Sequence, residues 1–425
     1  MIRLLFAYVL ASAALAYSPV RTSTGNLLRR TDADAIQFYV NTEGAPADSM
    51  AALQSAAEAW SKIPTSVVKF LPLESTAGVA DPFDRRNTIG FVDTPEYRSV
   101  VGSALAVTAM VYFANGDLSD TDILFNPSIA FSTDLTAKTF DLQSVATHEM
   151  GHALGANHSG LLAATMFQAT AQQSKLQTKL SADDMAFATD YYPSPSAADA
   201  YSVISGKVAA ADGAPIRNAL LVAADPVSGV TVGGVSSSAD GSYSFKAPRG
   251  RYLIYAEPLD APVTPEDLYL SKDQVDRAFL TSFSSELVDT KEGTGAVDLS
   301  VGAGAASFDL QIVGTGRAAG SGDVVLRAGA TTLTAGESID LVLSGPGLES
   351  EGAVYQVRVL GSGITVRPDS IRLDRRVRIN GAHPLRATID VTLEAGPVAS
   401  VVVVKDSVAV ALSGSLVVVA PPPAP

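Results

Sequence analysis

Eleven residues, His148 to His158, restrict the local fold of this chain more than any other segment. They read His-Glu-Met-Gly-His-Ala-Leu-Gly-Ala-Asn-His and contain three of the four histidines in the sequence. His148 and His152 are four residues apart, so they lie on one face of a helix. Gly155 stands where a sharp turn needs a residue that tolerates positive φ, and the turn returns His158 towards the other two. The pattern predicts a helix and turn that bring three imidazoles together.

Three converging imidazoles are a typical ligand set for zinc, and they leave one tetrahedral position open for water, as catalytic sites do. Glu149 is predicted to take a proton from the zinc-bound water and to deliver it to the leaving amine. Asp141 is the predicted N-cap of the helix. One alternative is a helix without metal, but helix packing gives no reason for Gly155 and His158 at these spacings. Another is a zinc site that has lost activity, against which the retained Glu149 argues.

The eleven residues match the long signature of the metzincin zinc proteases, and residues 33–195 resemble a bacterial-type matrixin domain. In that family a methionine eight residues after the third histidine forms a floor beneath the zinc, and Met166 has this spacing. Asp183 and Asp184, which precede Tyr191 and Tyr192, resemble acids that tie the family's final helix to the N-terminal region and the Met-turn. The resemblance implies an α+β catalytic domain with a twisted mixed sheet and an active-site helix.

Hydrophobic periodicity upstream of the motif fits this architecture. It predicts a helix over 48–63 that buries Leu53, Ala56, Ala57 and Trp60, and strands over 35–41, 67–70, 88–92, 104–113 and 122–126. In matrixins the first of the last two strands is the sheet edge along which the substrate lies extended. Leu105 and Ala106 are therefore candidates for backbone pairing with a peptide.

The sequence departs from vertebrate matrixins at their metal sites and at their specificity wall. Val107 and Leu124 stand where those enzymes place histidines for a second zinc, so one catalytic zinc is expected. The acids Asp117, Asp120 and Asp122 are candidate Ca²⁺ ligands, with simple solvation as the alternative. Residues 168–170, Gln-Ala-Thr, replace the family's Pro-x-Tyr, so substrate preference does not carry over. The chain has no cysteine, so the family's cysteine-based latency does not carry over either.

The first sixteen residues are typical of a secretory signal peptide, with Arg3 before an apolar run and Ala14-Leu15-Ala16 at the expected cleavage site. Cleavage after Ala16 would leave residues 17–32 as a short leader, and the chain would be exported. The alternative is an N-terminal anchor that is not cleaved. No membrane span is expected, because Lys405 and Asp406 interrupt the apolar stretch 398–420. The net charge of −14 argues against nucleic acid as a partner.

Beyond the turn residues 193–198, the pattern changes to short alternating strands with Asp-Gly turns. Residues 200–318 resemble a carboxypeptidase-regulatory-like or Cna-B-like β-sandwich, and residues 323–420 resemble an immunoglobulin-like one. Residues 421–425 form a proline-rich tail. The predicted fold class is therefore multidomain: a matrixin-like catalytic domain followed by two all-β sandwich domains. These two domains are expected to bind a surface or matrix ligand.

The resemblance implies a secreted zinc endopeptidase that acts on protein or peptide substrates. The alternative is a non-catalytic surface or adhesion protein, whose zinc site is structural and whose β-domains bind a partner. It stays open because more than half of the mature chain is predicted β-sandwich. The serralysin family is disfavoured because its calcium-binding glycine-aspartate repeats are missing from the sequence.

Overall fold

The computed structural model describes residues 15–16, 19–236, 239–316, 324–350 and 352–421. These residues form two compact units. Unit 1 contains residues 19–159 and 164–201, and unit 2 contains residues 15–16, 160–163 and the described residues from 202 onwards. The predicted leader therefore lies in unit 1 from residue 19, and both predicted β-domains lie in unit 2. Most of the predicted signal peptide, residues 317–323 around the predicted boundary between the two β-domains, and residues 422–425 of the predicted tail lie outside the described residues.

The sheet of unit 1 has five strands in the order β3-β2-β4-β6-β5. The strands of this unit are β2 (Tyr39–Val40), β3 (Glu74–Ser75), β4 (Thr88–Gly90), β5 (Ala106–Tyr112), β6 (Leu118–Phe125), β7 (Phe131–Ser132) and β8 (Phe140–Asp141). All neighbours in the five-stranded sheet pair in parallel except β5, which is antiparallel to β6 and lies at the edge. The sheet is therefore mixed, as predicted.

The helices of unit 1 are α1 (Ser49–Ser61), α2 (Pro95–Val101), α3 (Leu142–Ala153), α4 (Ala182–Tyr191) and α5 (Ala197–Ala200). Helix α1 buries the face predicted from its periodicity. The indole Nε1 of Trp60 donates to the Thr147 carbonyl across 2.8 Å, which fastens α1 to α3. Helix α2 was not among the predicted elements, although Thr94 caps its N-terminus and Pro95 stands at its first position.

The predicted strand over 67–70 is wrong. Its backbone bonds run to separate partners, from Val67 N–H to the Tyr192 carbonyl and from Lys69 N–H to the Ala33 carbonyl. Only Phe70 forms a bridge, to Ile36. A continuous strand needs one partner over several residues, whereas this segment bonds Tyr192 at Val67 and reaches residues 33–36 only from Lys69 onwards.

Unit 2 consists of strands in four sheets. Its strands are β1 (Leu15–Ala16), β9 (Tyr201–Ala210), β10 (Leu220–Ala224), β11 (Thr231–Val235), β12 (Ser242–Pro248), β13 (Arg251–Glu257), β14 (Ser282–Phe283), β15 (Val288–Asp289), β16 (Gly295–Ala296), β17 (Leu299–Val301), β18 (Ile312–Gly316), β19 (Val324–Val325), β20 (Thr331–Thr334), β21 (Ser338–Ser344), β22 (Tyr355–Leu360), β23 (Ile364–Val366), β24 (Arg372–Leu373), β25 (Leu385–Val391), β26 (Val398–Lys405) and β27 (Val408–Val419). Two sheets, β1-β11-β10-β13-β14 and β12-β9-β16, use strands up to residue 301. The other two, β19-β18-β21-β25-β23 and β20-β27-β26-β22, begin at residue 312. This β-rich organisation agrees with the predicted change of pattern; the sandwich types remain predictions.

Glu257, at the end of β13, is a buried acid of unit 2 whose Oε1 accepts a hydrogen bond from Ser413 Oγ across 2.9 Å. The pKa of this carboxyl is raised from 4.5 to about 8, mainly by burial. The charges of Asp260 and Asp309 contribute to the rise, and the hydrogen bond from Ser413 opposes it. Below its ordinary pKa, the Glu257 carboxyl is neutral in both the folded and the unfolded state, so no charge is buried on folding. Above the raised pKa it is ionised in both states, and the folded state alone carries the free-energy cost of burying the charge. Unit 2 should therefore lose stability as the pH rises between these values.

We expect the thermal midpoint of unit 2 to fall by roughly 3 °C or more between about pH 5 and about pH 8.5. Glu257→Gln cannot ionise, so its midpoint should fall less over the same interval. Circular dichroism melts of the two full-length proteins, recorded side by side, measure the difference. Parallel pH profiles would show that Glu257 does not cause the effect.

Candidate active site

Helix α3 begins where the sequence predicts. The Oδ1 of Asp141 accepts hydrogen bonds from the Ser144 N–H and hydroxyl, both at 2.8 Å, which confirms Asp141 as the N-cap. Its other carboxylate oxygen lies 3.8 Å from Lys175 Nζ. These contacts fix the helix start two turns before the first histidine of the motif.

Helix α3 ends at the turn that the motif requires. Gly155 has a φ of 89°, the left-handed conformation predicted for it. A side chain there would overlap the Leu28 carbonyl, so the position also needs glycine for close packing. The Ala156 N–H bonds the Gly151 carbonyl at 3.1 Å, and the Ala156 carbonyl accepts from His152 Nδ1 at 2.8 Å. The turn thus both reverses the chain and orients a histidine.

The three predicted ligands meet in one place. One nitrogen from each of His148, His152 and His158 lies within 4.8 Å of the other two, and the Nε2 atoms of the first two are 3.1 Å apart. His148 Nδ1 lies 2.8 Å from the Thr165 carbonyl. A carbonyl can only accept, so Nδ1 of His148 and of His152 carries the proton, and both Nε2 atoms have a free lone pair.

Burial keeps the imidazoles of His148 and His152 neutral, which is the form that binds metal. It lowers the pKa of His148 to about 3, with a further contribution from His158. It also holds the pKa of His152 well below its usual range, and the two neighbouring imidazoles add to the effect. Neutral Nε2 atoms that face each other repel unless a cation lies between them. Tetrahedral zinc with Zn–N bonds of about 2.0–2.1 Å separates its ligands by roughly 3.3 Å, so the donor set fits this metal.

Glu149 lies on the same helix with its carboxylate buried beside the histidines. Its Oε2 accepts a hydrogen bond of 2.7 Å from the Thr108 hydroxyl on β5. Burial raises the pKa of Glu149 to about 7, and the bond from Thr108 lowers it. A carboxyl with this pKa can both accept and release a proton near neutral pH, which suits a general acid and base.

Met166 is buried in the loop after His158, and the loop is tied to the final helix α4. The carboxylate of Asp184 accepts from the Thr165 and Met166 N–H groups at 2.8 and 3.0 Å. It also accepts from the Ser181 N–H, and the Ser181 hydroxyl accepts from the Asp184 N–H, which completes a capping box at the start of α4. Asp183 accepts from the Ser159 hydroxyl at 2.6 Å. The expected link between this pair of acids and the Met-turn is therefore present.

Gly151 allows helix α3 to pack closely against Met166 and Trp60, and the sequence alone did not single out this residue. A Cβ at this position would overlap the Met166 sulfur and would lie 2.8 Å from the Trp60 ring. Helix α3 can therefore approach both side chains only because residue 151 is glycine.

We expect Gly151→Ala to destabilise unit 1 by about 1–3 kcal/mol, the usual cost of overpacking, even though alanine favours helix. The same change should displace Met166 and weaken zinc binding. Thermal melts and zinc titrations of the full chain measure both effects. Gly293→Ala, where an added Cβ meets nothing within 4 Å, is the matched control and should be neutral. An unchanged melting temperature for Gly151→Ala would contradict the packing argument.

Gln177 is a second residue that the sequence did not reveal. Its buried amide Nε2 lies 3.2, 3.0 and 3.3 Å from the carbonyl oxygens of Thr165, Phe167 and Ala169, and its two protons are shared among these three acceptors. The Thr165 carbonyl also receives His148 Nδ1, so Gln177 supports both a predicted ligand and the segment that follows Met166. This segment includes Gln168 and Ala169, the first two residues of the Gln-Ala-Thr that stands in place of the family's Pro-x-Tyr.

The edge position of β5 supports its predicted part in substrate binding but changes the residues concerned. The Leu105 carbonyl already accepts the Asn126 N–H at 2.9 Å, so this group is engaged within the sheet. Residues of an antiparallel edge strand alternate between inward and outward backbone groups. From this bond and the β5–β6 register, Ala106, Thr108 and Met110 turn their backbone groups to the open side. Ala106 is retained as a candidate, and Thr108 replaces Leu105.

The positions that hold a second zinc in vertebrate matrixins are apolar here. Val107 and Leu124 are direct partners in the β5–β6 pairing. They pack in a hydrophobic cluster with Tyr97 and Val101 of α2. Within the described residues, the group of three possible metal ligands is the one formed by the motif histidines. The expectation of a single zinc remains a prediction for metal analysis.

The candidate calcium ligands lie in different surroundings. Asp120 and Asp122 are buried on β6 and accept the N–H groups of Arg85 and Thr88, and each keeps one oxygen without a partner. Burial raises the pKa of Asp122 to about 8. Asp117 is half-buried and accepts from the Asn115 side chain at 2.6 Å. Calcium binding remains a prediction.

Residues 34–193 match the model of the family described as Matrixin, which supports a matrixin-like domain over fewer than half of the 425 residues. A search of curated proteins finds no match. Among solved structures, the chain is similar to a DUF3823 family protein from Bacteroides ovatus, at 15% identity over 50% of this chain and 99% of that one, with a TM-score of 0.17. It is also similar to BcpA, the major pilin subunit of Bacillus cereus, at 9% identity over 51% and 69%, with a TM-score of 0.17. Neither likeness carries a functional argument.

Proposed function

We propose that this chain is an exported zinc endopeptidase that cleaves protein or peptide substrates in an extended conformation. One observation carries the proposal: three imidazoles converge on one helix and its following turn, and the same helix carries the buried carboxylate of Glu149. A purely structural zinc site would be closed by a fourth protein ligand, whereas this set leaves one position open. The match to the Matrixin family supports the same chemistry.

His148, His152 and His158 would hold the metal. Zinc bound there supplies Lewis acidity, which polarises the scissile carbonyl and lowers the pKa of water to about 7. The hydrogen bonds from His148 and His152 to backbone carbonyls fix both ring orientations before the metal binds. The ligands are thus preorganised by α3, by the turn at Gly155 and by the segment around Met166.

Glu149 would move the protons of the reaction. Its carboxylate accepts a proton from the attacking water and later transfers it to the nitrogen of the leaving amine. Burial keeps this carboxyl near the midpoint of its titration at neutral pH, so neither transfer is strongly uphill. The substrate backbone would lie along the open side of β5, paired with Ala106 and Thr108.

Cleavage of casein by the full-length chain tests the function. We expect hydrolysis that stops with a zinc chelator and returns when zinc is added back. Magnesium added at the same concentration is the control and should not restore activity, because a site of three imidazoles does not select this hard cation. Cleavage that persists in the chelator would contradict a zinc-dependent mechanism.

Export is the part of the proposal that concerns the N-terminal segment. In the described part of the chain, no helix is long and apolar enough to span a bilayer. The proposal of export rests on the apolar N-terminal run and on Ala14-Leu15-Ala16. Mass spectrometry of the protein recovered from the culture medium should find a mature N-terminus at Tyr17. An intact N-terminus on a cell-associated protein would support the uncleaved anchor instead.

A further inference from the structure

Thr108 connects the predicted substrate edge to the predicted general base. Its hydroxyl lies 2.7 Å from Glu149 Oε2 and 3.0 Å from the Glu149 carbonyl. The hydroxyl has one proton, and both neighbours are acceptors, so it can donate to only one of them at a time. The ionised carboxylate is the stronger acceptor and takes this bond by preference.

The backbone of the same residue faces the other way. The bond from Asn126 N–H to the Leu105 carbonyl sets the alternation along β5. Residue 108 lies at an outward position of this alternation, so its N–H and carbonyl point to the open side of the sheet. An extended peptide on this edge would therefore pair with the residue whose side chain bonds Glu149.

A carboxylate that transfers protons must be held at a fixed distance from the reacting atoms, because small displacements cost large factors in rate. The Thr108 hydroxyl is a side-chain hydrogen-bond partner of the Glu149 carboxylate, and it comes from β5 rather than from α3 itself. Rotation of the Glu149 side chain away from β5 would break this bond. The contact therefore restricts the carboxylate to the side of α3 that faces β5.

We propose that Thr108 is a positioning residue that sets the Glu149 carboxylate in register with the peptide paired to its own backbone. The inference rests on the proposed endopeptidase function. It implies that β5 both binds the substrate and positions Glu149, because a movement of β5 would move the bound peptide and the Glu149 carboxylate together. A purely structural role, in which Thr108 only joins β5 to α3, is the competing explanation.

Three variants separate these explanations. Thr108→Val keeps the shape and the β-branch but removes the donor, Thr108→Ser keeps the donor, and Thr108→Ala is a second donor-free variant in case valine does not fold. With a fluorogenic peptide and the zinc-loaded full chain, we expect valine and alanine to lower kcat about 10- to 100-fold with KM changed less than about threefold. Serine should retain kcat within about threefold. Zinc content should be the same in all four proteins.

A second measurement does not depend on activity. In protein labelled with ¹³C at glutamate side chains, the carboxyl resonance of Glu149 is the one lost in Glu149→Gln. We expect Thr108→Val and Thr108→Ala to shift this resonance and Thr108→Ser to leave it near its original position. If the wild type cleaves nothing but the shift occurs, the proposed function fails and the positioning contact stands. Unchanged kcat or an unshifted resonance in both donor-free variants would overturn the inference.

Discussion

Replacing Glu149 with alanine is expected to lower hydrolysis by about 10³-fold or more, because it removes the carboxylate proposed to take up the proton of the attacking water. The fold and the bound zinc should remain, since the three ligands are oriented by carbonyls of Thr165 and Ala156 and by the turn at Gly155. The measurement is peptide hydrolysis together with the zinc content of the same sample. Glu149→Gln should behave alike, because an amide cannot serve as a base.

Glu58→Ala is the matched control for this change. Glu58 is an exposed acid of α1 that pairs with Lys62 at 2.7 Å, and exposed pairs of this kind contribute little to stability. Its loss should leave hydrolysis unchanged. Substantial activity in Glu149→Ala would rule out the assigned proton transfers, even if zinc were present.

Replacing Arg386 with methionine is expected to destabilise unit 2 by about 3–5 kcal/mol, the usual cost of removing one partner from a buried ion pair. The side chain of Arg386 is fully buried on β25. Its Nε lies 2.6 Å from Asp374 Oδ2 and its Nη1 lies 3.5 Å from Asp340 Oδ2. Both acids are buried as well, and methionine would leave each with one partly exposed arginine as partner, Arg372 for Asp340 and Arg376 for Asp374.

Arg376 offers a control on the same network. It also pairs with Asp374, at 3.1 Å, but more than half of its side chain is exposed. Arg376→Met should therefore cost less than about 1 kcal/mol. Urea unfolding of the full chain, followed by circular dichroism in the β-sheet region, measures both variants. Equal losses of unfolding free energy in the two variants would show that burial does not determine how much the Arg386 ion pairs contribute to stability.

The predictable part of the site depends on spacing within one segment. His148, His152 and Gly155 follow from helical periodicity and from the one conformation that the turn allows, and the structure reproduces all three. Met166 and Asp184 came from resemblance rather than geometry, and their contacts agree with it. His148, His152 and Gly155 lie in one short segment, so the local helix and turn set their relative arrangement.

The unpredicted part of the site depends on register between distant segments. Thr108 reaches Glu149 only because β5 runs antiparallel to β6 with one particular alternation, which periodicity cannot fix. Gln177 lies in a short turn between segments and gives no periodic signal. Gly151 looks like an ordinary helix position until Met166 and Trp60 are placed against it.

The fold outside the site shows the same division. Helix α1 followed from its apolar stripe, because a helix must bury that stripe against something. Helix α2 is seven residues long, too short for periodicity to reveal, and only the Thr94-Pro95 start marks it. The apolar segment 67–70 has the composition of a strand but no continuous partner.

Zinc content of the full-length chain and its histidine variants tests the central claim most directly. After equilibration with zinc and removal of excess metal, the wild type and Glu149→Ala should each hold about one zinc per chain. His148→Ala, His152→Ala and His158→Ala should each lose most of it, whereas an alanine at His383, outside the motif, should not. A wild type without zinc, or zinc retained after loss of the motif histidines, would contradict the assignment of this site.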